Sequence, residues 1–274
     1  RLRPDYNGGG SDAPTRVSAP MTTTLPPLRL ASRMSRLGTE TAFEVLARAK
    51  ALEAQGKSIV HLEIGEPDFD TPKNVIEAGV EALRSGWTHY GPANGHPDAR
   101  ATVADYVSRT RGVAVGADEV VIVPGGKPIL LYAMTALVEK GDEVLCPNPA
   151  YPIYESLVNF VGGKSVPVPI REENAFALDP QDVISRLTPR TRMVVLNSPA
   201  NPTGGVTPRE ALLVMLQELK KHPNVWILSD EIYGRLLYDG AEHFSPLQDP
   251  EIRDRVILLD GWSKTYAMTG WRMG

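Results

Sequence analysis

Near the C-terminal end of this 274-residue chain, a lysine and an arginine stand just past an apolar run, within Ser263-Lys264-Thr265-Tyr266-Ala267-Met268-Thr269-Gly270-Trp271-Arg272-Met273-Gly274. An amine so placed can bind an aldehyde covalently, and a guanidinium eight positions on can hold a phosphate of the same ligand. Taken alone, a lysine after a strand is an ordinary solvated residue. The chemical reading therefore rests on its companions.

A ligand carrying an aldehyde, a phosphate and a basic ring nitrogen is pyridoxal phosphate. It asks for an amine, an acid facing the ring nitrogen, and donors for the ring hydroxyl and the phosphate. Asp230 ends an apolar run and can be the acid, since a carboxylate buried there gains from a cationic partner. Tyr233, three residues on, and Asn201 can donate to the ring hydroxyl. Each has a plainer alternative: a turn or cap aspartate, a packed tyrosine, a turn asparagine before Pro202.

For the phosphate, Val123-Pro124-Gly125-Gly126-Lys127-Pro128 offers a glycine turn between an expected strand and helix. A helix N-terminus presents unsatisfied N–H groups to an anion. The spacing is neither that of a Walker loop nor the G-x-G-x-x-G fingerprint, so the turn gains weight only from Ser263 and Arg272. Tyr151, after Cys146-Pro147-Asn148-Pro149-Ala150, can stack on a ring or pack beneath a loop.

The elements that must position these residues follow from periodicity. Residues 40–55 place Phe43, Leu46, Ala49 and Leu52 on one face and predict an amphipathic helix closed by Gly56. Residues 72–83, with Pro72 in the first turn, and 98–110 predict two more helices. The uncharged run 128–138 predicts a buried helix and is far short of the roughly 20 residues that cross a bilayer. Strands are expected at 59–64, 120–123, 144–146, 165–168, 193–197, 225–229 and 256–260. Short, nearly continuous β-branched and leucine runs imply a mainly parallel sheet with helices on both faces, an α/β fold whose ligands gather at the carboxyl ends of strands.

A net charge of −4 leaves no basic footprint for nucleic acid or anionic membrane. Cys146 is the only cysteine, so no intrachain disulfide forms, in keeping with a cytoplasmic setting. The five histidines show no ligand-like pairing, and no metal site is assigned. Residues 1–20, which include three consecutive glycines, read as a disordered leader, with Met21 a plausible start.

With these motifs in order, the chain resembles the class I pyridoxal-phosphate-dependent aminotransferases of fold type I, especially the bacterial aspartate and aromatic branch. The matching stretches are Gly65-Glu66-Pro67-Asp68-Phe69-Asp70-Thr71-Pro72, Tyr90-Gly91-Pro92-Ala93-Asn94-Gly95, Gly125-Gly126-Lys127, Asn197-Ser198-Pro199-Ala200-Asn201-Pro202-Thr203-Gly204, Ser229-Asp230-Glu231-Ile232-Tyr233 and 263–274. The resemblance implies Lys264 as the Schiff-base lysine and proton shuttle, Asp230 on the pyridine nitrogen, and Tyr233 and Asn201 on the phenolic oxygen. It implies phosphate contacts from Gly125, Gly126, the main chain of Lys127, Ser263 and Arg272, with Tyr90 reaching the phosphate of a neighbouring subunit. Gly65 and Asn201 would touch the substrate carboxylate, and Tyr151 would stack on the ring. Gly261 stands where some relatives carry a phosphate-binding serine.

The expectation is a ping-pong transfer of an amino group between an L-amino acid and a 2-oxo acid by a homodimer. Residues 65–274 would be the cofactor-binding large domain, incomplete at its C-terminus, and 21–64 an arm and helix belonging to a small domain. The rest of that small domain, with the family's second substrate-binding arginine, would be missing. A β-lyase or cyclopropane-forming synthase on the same scaffold, and a non-enzymatic sensing module or inactive fragment, are the alternatives.

Overall fold

The computed structural model describes residues 28–38 and 41–274. The leader over 1–20, the start at Met21 and Glu40, where the first helix was expected to begin, lie outside the described residues. Residues 28–31 are exposed and without regular structure, and residues 32–274 form one compact unit.

In chain order the elements of that unit are α1 (Thr41–Glu53), α2 (Lys73–Arg84), α3 (Pro97–Arg111), α4 (Lys127–Leu137), β1 (Glu143–Asn148), α5 (Ile153–Val161), β2 (Lys164–Pro169), α6 (Pro180–Ile184), β3 (Thr191–Asn197), α7 (Arg209–Leu219), β4 (Trp226–Asp230), β5 (Val256–Leu259) and α8 (Trp262–Thr265), joined by short 3₁₀ turns. The strands form one parallel sheet in the order β2-β1-β3-β4-β5. The chain runs outward from β1 to β2 and then returns to β3 on the other side of β1. Such a reversal splays the connections at the carboxyl ends and opens a crevice there.

Alternation of side chains explains why these strands are apolar almost without a break. Leu145, Val194, Leu196 and Ile227 pack with Leu212, Met215 and Leu216 of α7. Their neighbours Val144, Cys146, Met193, Val195 and Leu228 pack with Leu130 and Met134 of α4 and Tyr154 and Val158 of α5. Two helical layers thus cover the sheet, and few polar groups other than those at its ends enter the core.

Several expectations need correcting. Residues 59–64 are not a strand: no neighbouring strand pairs with them, and Val60 and Leu62 remain exposed. Residues 120–123 are extended, but a single reciprocal hydrogen-bond pair between Val123 and Gly274 does not make a ladder. Helix α1 forms as expected, with Ala49 buried and Leu46 and Leu52 half-buried, but Phe43 at the start of that face is exposed. Helix α4 buries one face through Leu130, Ala133 and Met134, whereas Tyr132 is exposed. Pro72 stands just before α2, as its N-cap. In each case the local pattern requires a partner without specifying one.

Candidate active site

The carboxyl ends of β3, β4 and β5 bring the expected residues together. Asn197 and Asp230 are registered opposite each other, as are Asp230 and Leu259. Asn197 Nδ2 donates to the Asp230 main-chain oxygen (3.2 Å), and its Oδ1 accepts from the Asn201 N–H (2.8 Å). Asn201 Nδ2 in turn donates to the Tyr233 hydroxyl (3.2 Å). One asparagine therefore sets both the strand bearing the acid and the loop bearing the next donor.

Asp230 is buried. Its Oδ2 accepts from the Tyr154 hydroxyl at 2.6 Å and its Oδ1 from the Ile232 N–H at 3.2 Å. Burial pushes its carboxyl up to about 6, although both hydrogen bonds favour the charged form. A carboxylate held this way gains most from a cation set against it, and a protonated pyridine nitrogen is such a cation. Burial also raises the Tyr233 phenol, as does the charge of Asp230.

Lys264 lies on α8 with Nζ 5.9 Å from the centre of the Tyr233 ring, and it donates to the Gly65 carbonyl. Burial lowers its pKa, and Glu66 opposes that shift. The segment carrying Gly65 is tied to the stretch after Lys264 at three further points. Thr71 Oγ1 donates to Ala267 O, Trp271 Nε1 donates to Thr71 Oγ1 (3.1 Å), and Thr269 bonds Glu66. Gly65 therefore reaches the amine although it belongs to no strand.

The phosphate-binding expectation falls on one corner. Gly125 has φ +88°, Gly126 caps α4, and Lys127 is the first residue of that helix. A Cβ built on Gly125 would collide with the Arg272 guanidinium, so only glycine admits this approach as well as the backbone angle. Arg272 itself adopts the left-handed region (φ 56°) and donates from Nη1 to Thr269 O at 2.7 Å. The guanidinium thus lies against the glycine turn at the N-terminus of α4, and N–H groups with a guanidinium are donors that a phosphate can use. Ser263 precedes Lys264 on α8. The Lys127 ammonium lies over the Phe43 ring at 5.6 Å.

Of the two expected tyrosines not yet placed, one stands apart and one meets the site through a neighbour. Tyr90 is fully exposed and joins no group in this set. Tyr151 is half-buried and meets the Tyr154 ring edge-on, with centroids 5.8 Å apart. Tyr154 is the contact that sequence reasoning missed. Its only local sign was an aromatic three residues after Tyr151, at helical spacing. Among the described residues no cluster of three or more His, Cys, Asp or Glu side chains could hold a metal ion, and no helix is long and apolar enough to cross a membrane.

Known proteins resemble this chain over most of its length. The chain is 38% identical over 245 residues to an aspartate aminotransferase of Rhizobium meliloti, a match covering 89% of this chain and 60% of that protein. It is 41% identical over 233 residues to an arginine–pyruvate transaminase of Pseudomonas aeruginosa, covering 85% and 59%. A crystal structure of the Rhizobium meliloti aspartate aminotransferase superposes with a TM-score of 0.86 at 38% identity, over 90% of this chain and 62% of that one. The Thermus thermophilus aspartate aminotransferase with maleate gives 0.85 at 39%, over 90% and 64%. The chain thus spans about 60% of the length of the curated relatives it matches. Residues 57–274 match the family described as aminotransferase class I and II, and the chain belongs to that family, whose class I members use pyridoxal 5′-phosphate.

Proposed function

We propose that the protein carrying this chain is a pyridoxal-phosphate-dependent aminotransferase that moves an amino group between an L-amino acid and a 2-oxo acid. The observation that carries this reading is the convergence at strand ends of the Lys264 amine, the Tyr233–Asn201 pair and the buried Asp230.

The residues present fit the cofactor. Asp230 would hold the ring nitrogen as a cation, and Tyr233 and Asn201 the phenolic oxygen. Gly125, Gly126, the Lys127 main chain, Ser263 and Arg272 would hold the phosphate. When bound, pyridoxal phosphate supplies an electron sink for charge developing at the amino acid Cα. Lys264 Nζ, made less basic by burial, would move the proton between that Cα and C4′ of the cofactor. The main chain at Gly65 and the side chain of Asn201 would position the substrate carboxylate, and Tyr151 would pack on the ring.

A homodimer fits the complete exposure of Tyr90, which would serve the partner's phosphate. On this reading residues 65–274 are the cofactor-binding domain, and the described part of 21–64, which carries α1, belongs to a second, smaller domain. The single cysteine, buried Cys146, suits a reducing cytoplasmic compartment.

Titrating the purified protein with pyridoxal phosphate tests this. A visible absorbance band should form, and selected amino acids should convert it to the pyridoxamine form with release of a 2-oxo acid. If the band persists in Lys264→Ala, the assignment is wrong. Pyruvate and ammonia released without a 2-oxo acid acceptor would mark a β-lyase instead.

A further inference from the structure

Behind the site lies a buried ionic cluster to which the proposed chemistry assigns no part. Arg111, the last residue of α3, is 2% exposed and reaches two carboxylates at once. Its Nε donates to Glu231 Oε2 at 3.0 Å and its Nη2 to Asp260 Oδ2 at 2.8 Å, while Nη1 donates to Thr110 Oγ1 at 2.8 Å. Glu231 is saturated by further partners. Ser229 Oγ (2.9 Å) and Ser245 Oγ (2.6 Å) donate to its Oε1, and His243 Nε2 lies 2.7 Å from its Oε2. Asp260 Oδ1 accepts the Gly261 N–H at 2.7 Å.

The position of the cluster matters more than its existence. Asp230 of β4 is registered with Leu259 of β5, and the Glu231 N–H donates to Leu259 O at 2.8 Å. There the ladder ends. Glu231 and Asp260 are the next residues on the two strands, so the guanidinium replaces the missing rung just beyond Asp230. Asp260 also leads through Gly261 into α8, which carries Lys264. Side-chain alternation turns Glu231 away from Asp230, and the two carboxylates nevertheless lie near enough to oppose ionisation of Asp230.

Building on the aminotransferase reading, we propose that Arg111 is a positioning residue for that reaction: by clamping Glu231 to Asp260 it fixes the spacing between Asp230 and Lys264. It touches neither reacting atom, and a guanidinium is required because only a planar fork bonds two carboxylates in fixed directions. A lysine would supply the charge as a single mobile point.

The test uses the full-length protein loaded with pyridoxal phosphate, in two variants. Arg111→Lys keeps the charge and loses the fork. The triple variant Arg111→Met, Glu231→Gln, Asp260→Asn removes the buried charges together and so guards against a misfolded single variant. In both, kcat should fall on the order of 10²-fold, the scale of a 1 Å displacement at a reacting centre, with KM changed less than about threefold. A purely structural role would not move the pH midpoint of the bound-cofactor absorbance. That midpoint should rise in Arg111→Lys, where the carboxylates are less well neutralised and favour a cation nearby. It should fall in the triple variant, where they are gone. Wild-type kcat in either folded variant, whatever happens to the midpoint or the melting temperature, overturns the clamp while leaving the functional reading intact. Failure of the unmutated protein to form the absorbance band overturns that reading and the clamp with it.

Discussion

Asn197 and Asp230 face each other on the last registered pair between β3 and β4, and the asparagine amide donates across it to the Asp230 carbonyl (3.2 Å). Its carbonyl oxygen simultaneously accepts the Asn201 N–H (2.8 Å). A single buried side chain thereby couples the acid to the loop that carries the donor to Tyr233.

Asn197→Leu removes both bonds, taking a partner from the buried Asp230 carbonyl and from the part-buried Asn201 N–H. Each such loss costs about 1–3 kcal/mol. Urea denaturation should therefore show a marked loss of stability, and the protein should bind pyridoxal phosphate more weakly. Unchanged stability would mean that water or neighbouring backbone replaces the amide.

Asp230 carries a pH dependence whose sign is set by burial. Its carboxyl moves from 3.8 to about 6 in the folded protein. Between those values the folded state binds more protons than the unfolded one, so stability falls as pH rises. The contribution is largest below about 4, is lost as pH passes through about 6, and amounts to about 3 kcal/mol at 1.36 kcal/mol per unit. In cofactor-free Asp230→Asn this fall should disappear, as read by urea denaturation at pH 4.5 and 7.5. The same variant should bind the cofactor poorly, having lost the partner for its ring nitrogen.

Tyr154→Phe removes the hydroxyl that holds Asp230 Oδ2 at 2.6 Å. Because that bond favours the charged carboxylate, Asp230 should become harder to ionise. Cofactor binding should weaken, and its pH dependence should shift upward when followed by absorbance. An unshifted profile would show that the Ile232 N–H alone suffices.

Gly125→Ala forces a side chain into φ +88° and against the Arg272 guanidinium. The backbone conflict alone costs about 1–2 kcal/mol. Displacing the guanidinium should also weaken inorganic phosphate and pyridoxal phosphate binding together. A loss confined to the complete cofactor would place the phosphate elsewhere.

Periodicity and punctuation were enough to place Asp230 at a strand end, Asn201, Tyr233 and Lys264 beyond strand ends and Gly125 at a helix start, because apolar runs make strands and polar residues end them. The five paired strands were legible for the same reason. Residues 59–64 and 120–123 have equally strand-like composition yet form no ladder, since a strand exists only where another chain segment offers its hydrogen bonds. The rest depended on tertiary structure. The reach of Tyr154 to Asp230 spans 76 positions, and that of Arg111 to Asp260 spans 149. No local pattern encodes such distances. They are set by helix packing against the sheet, which decides which buried polar groups can satisfy one another.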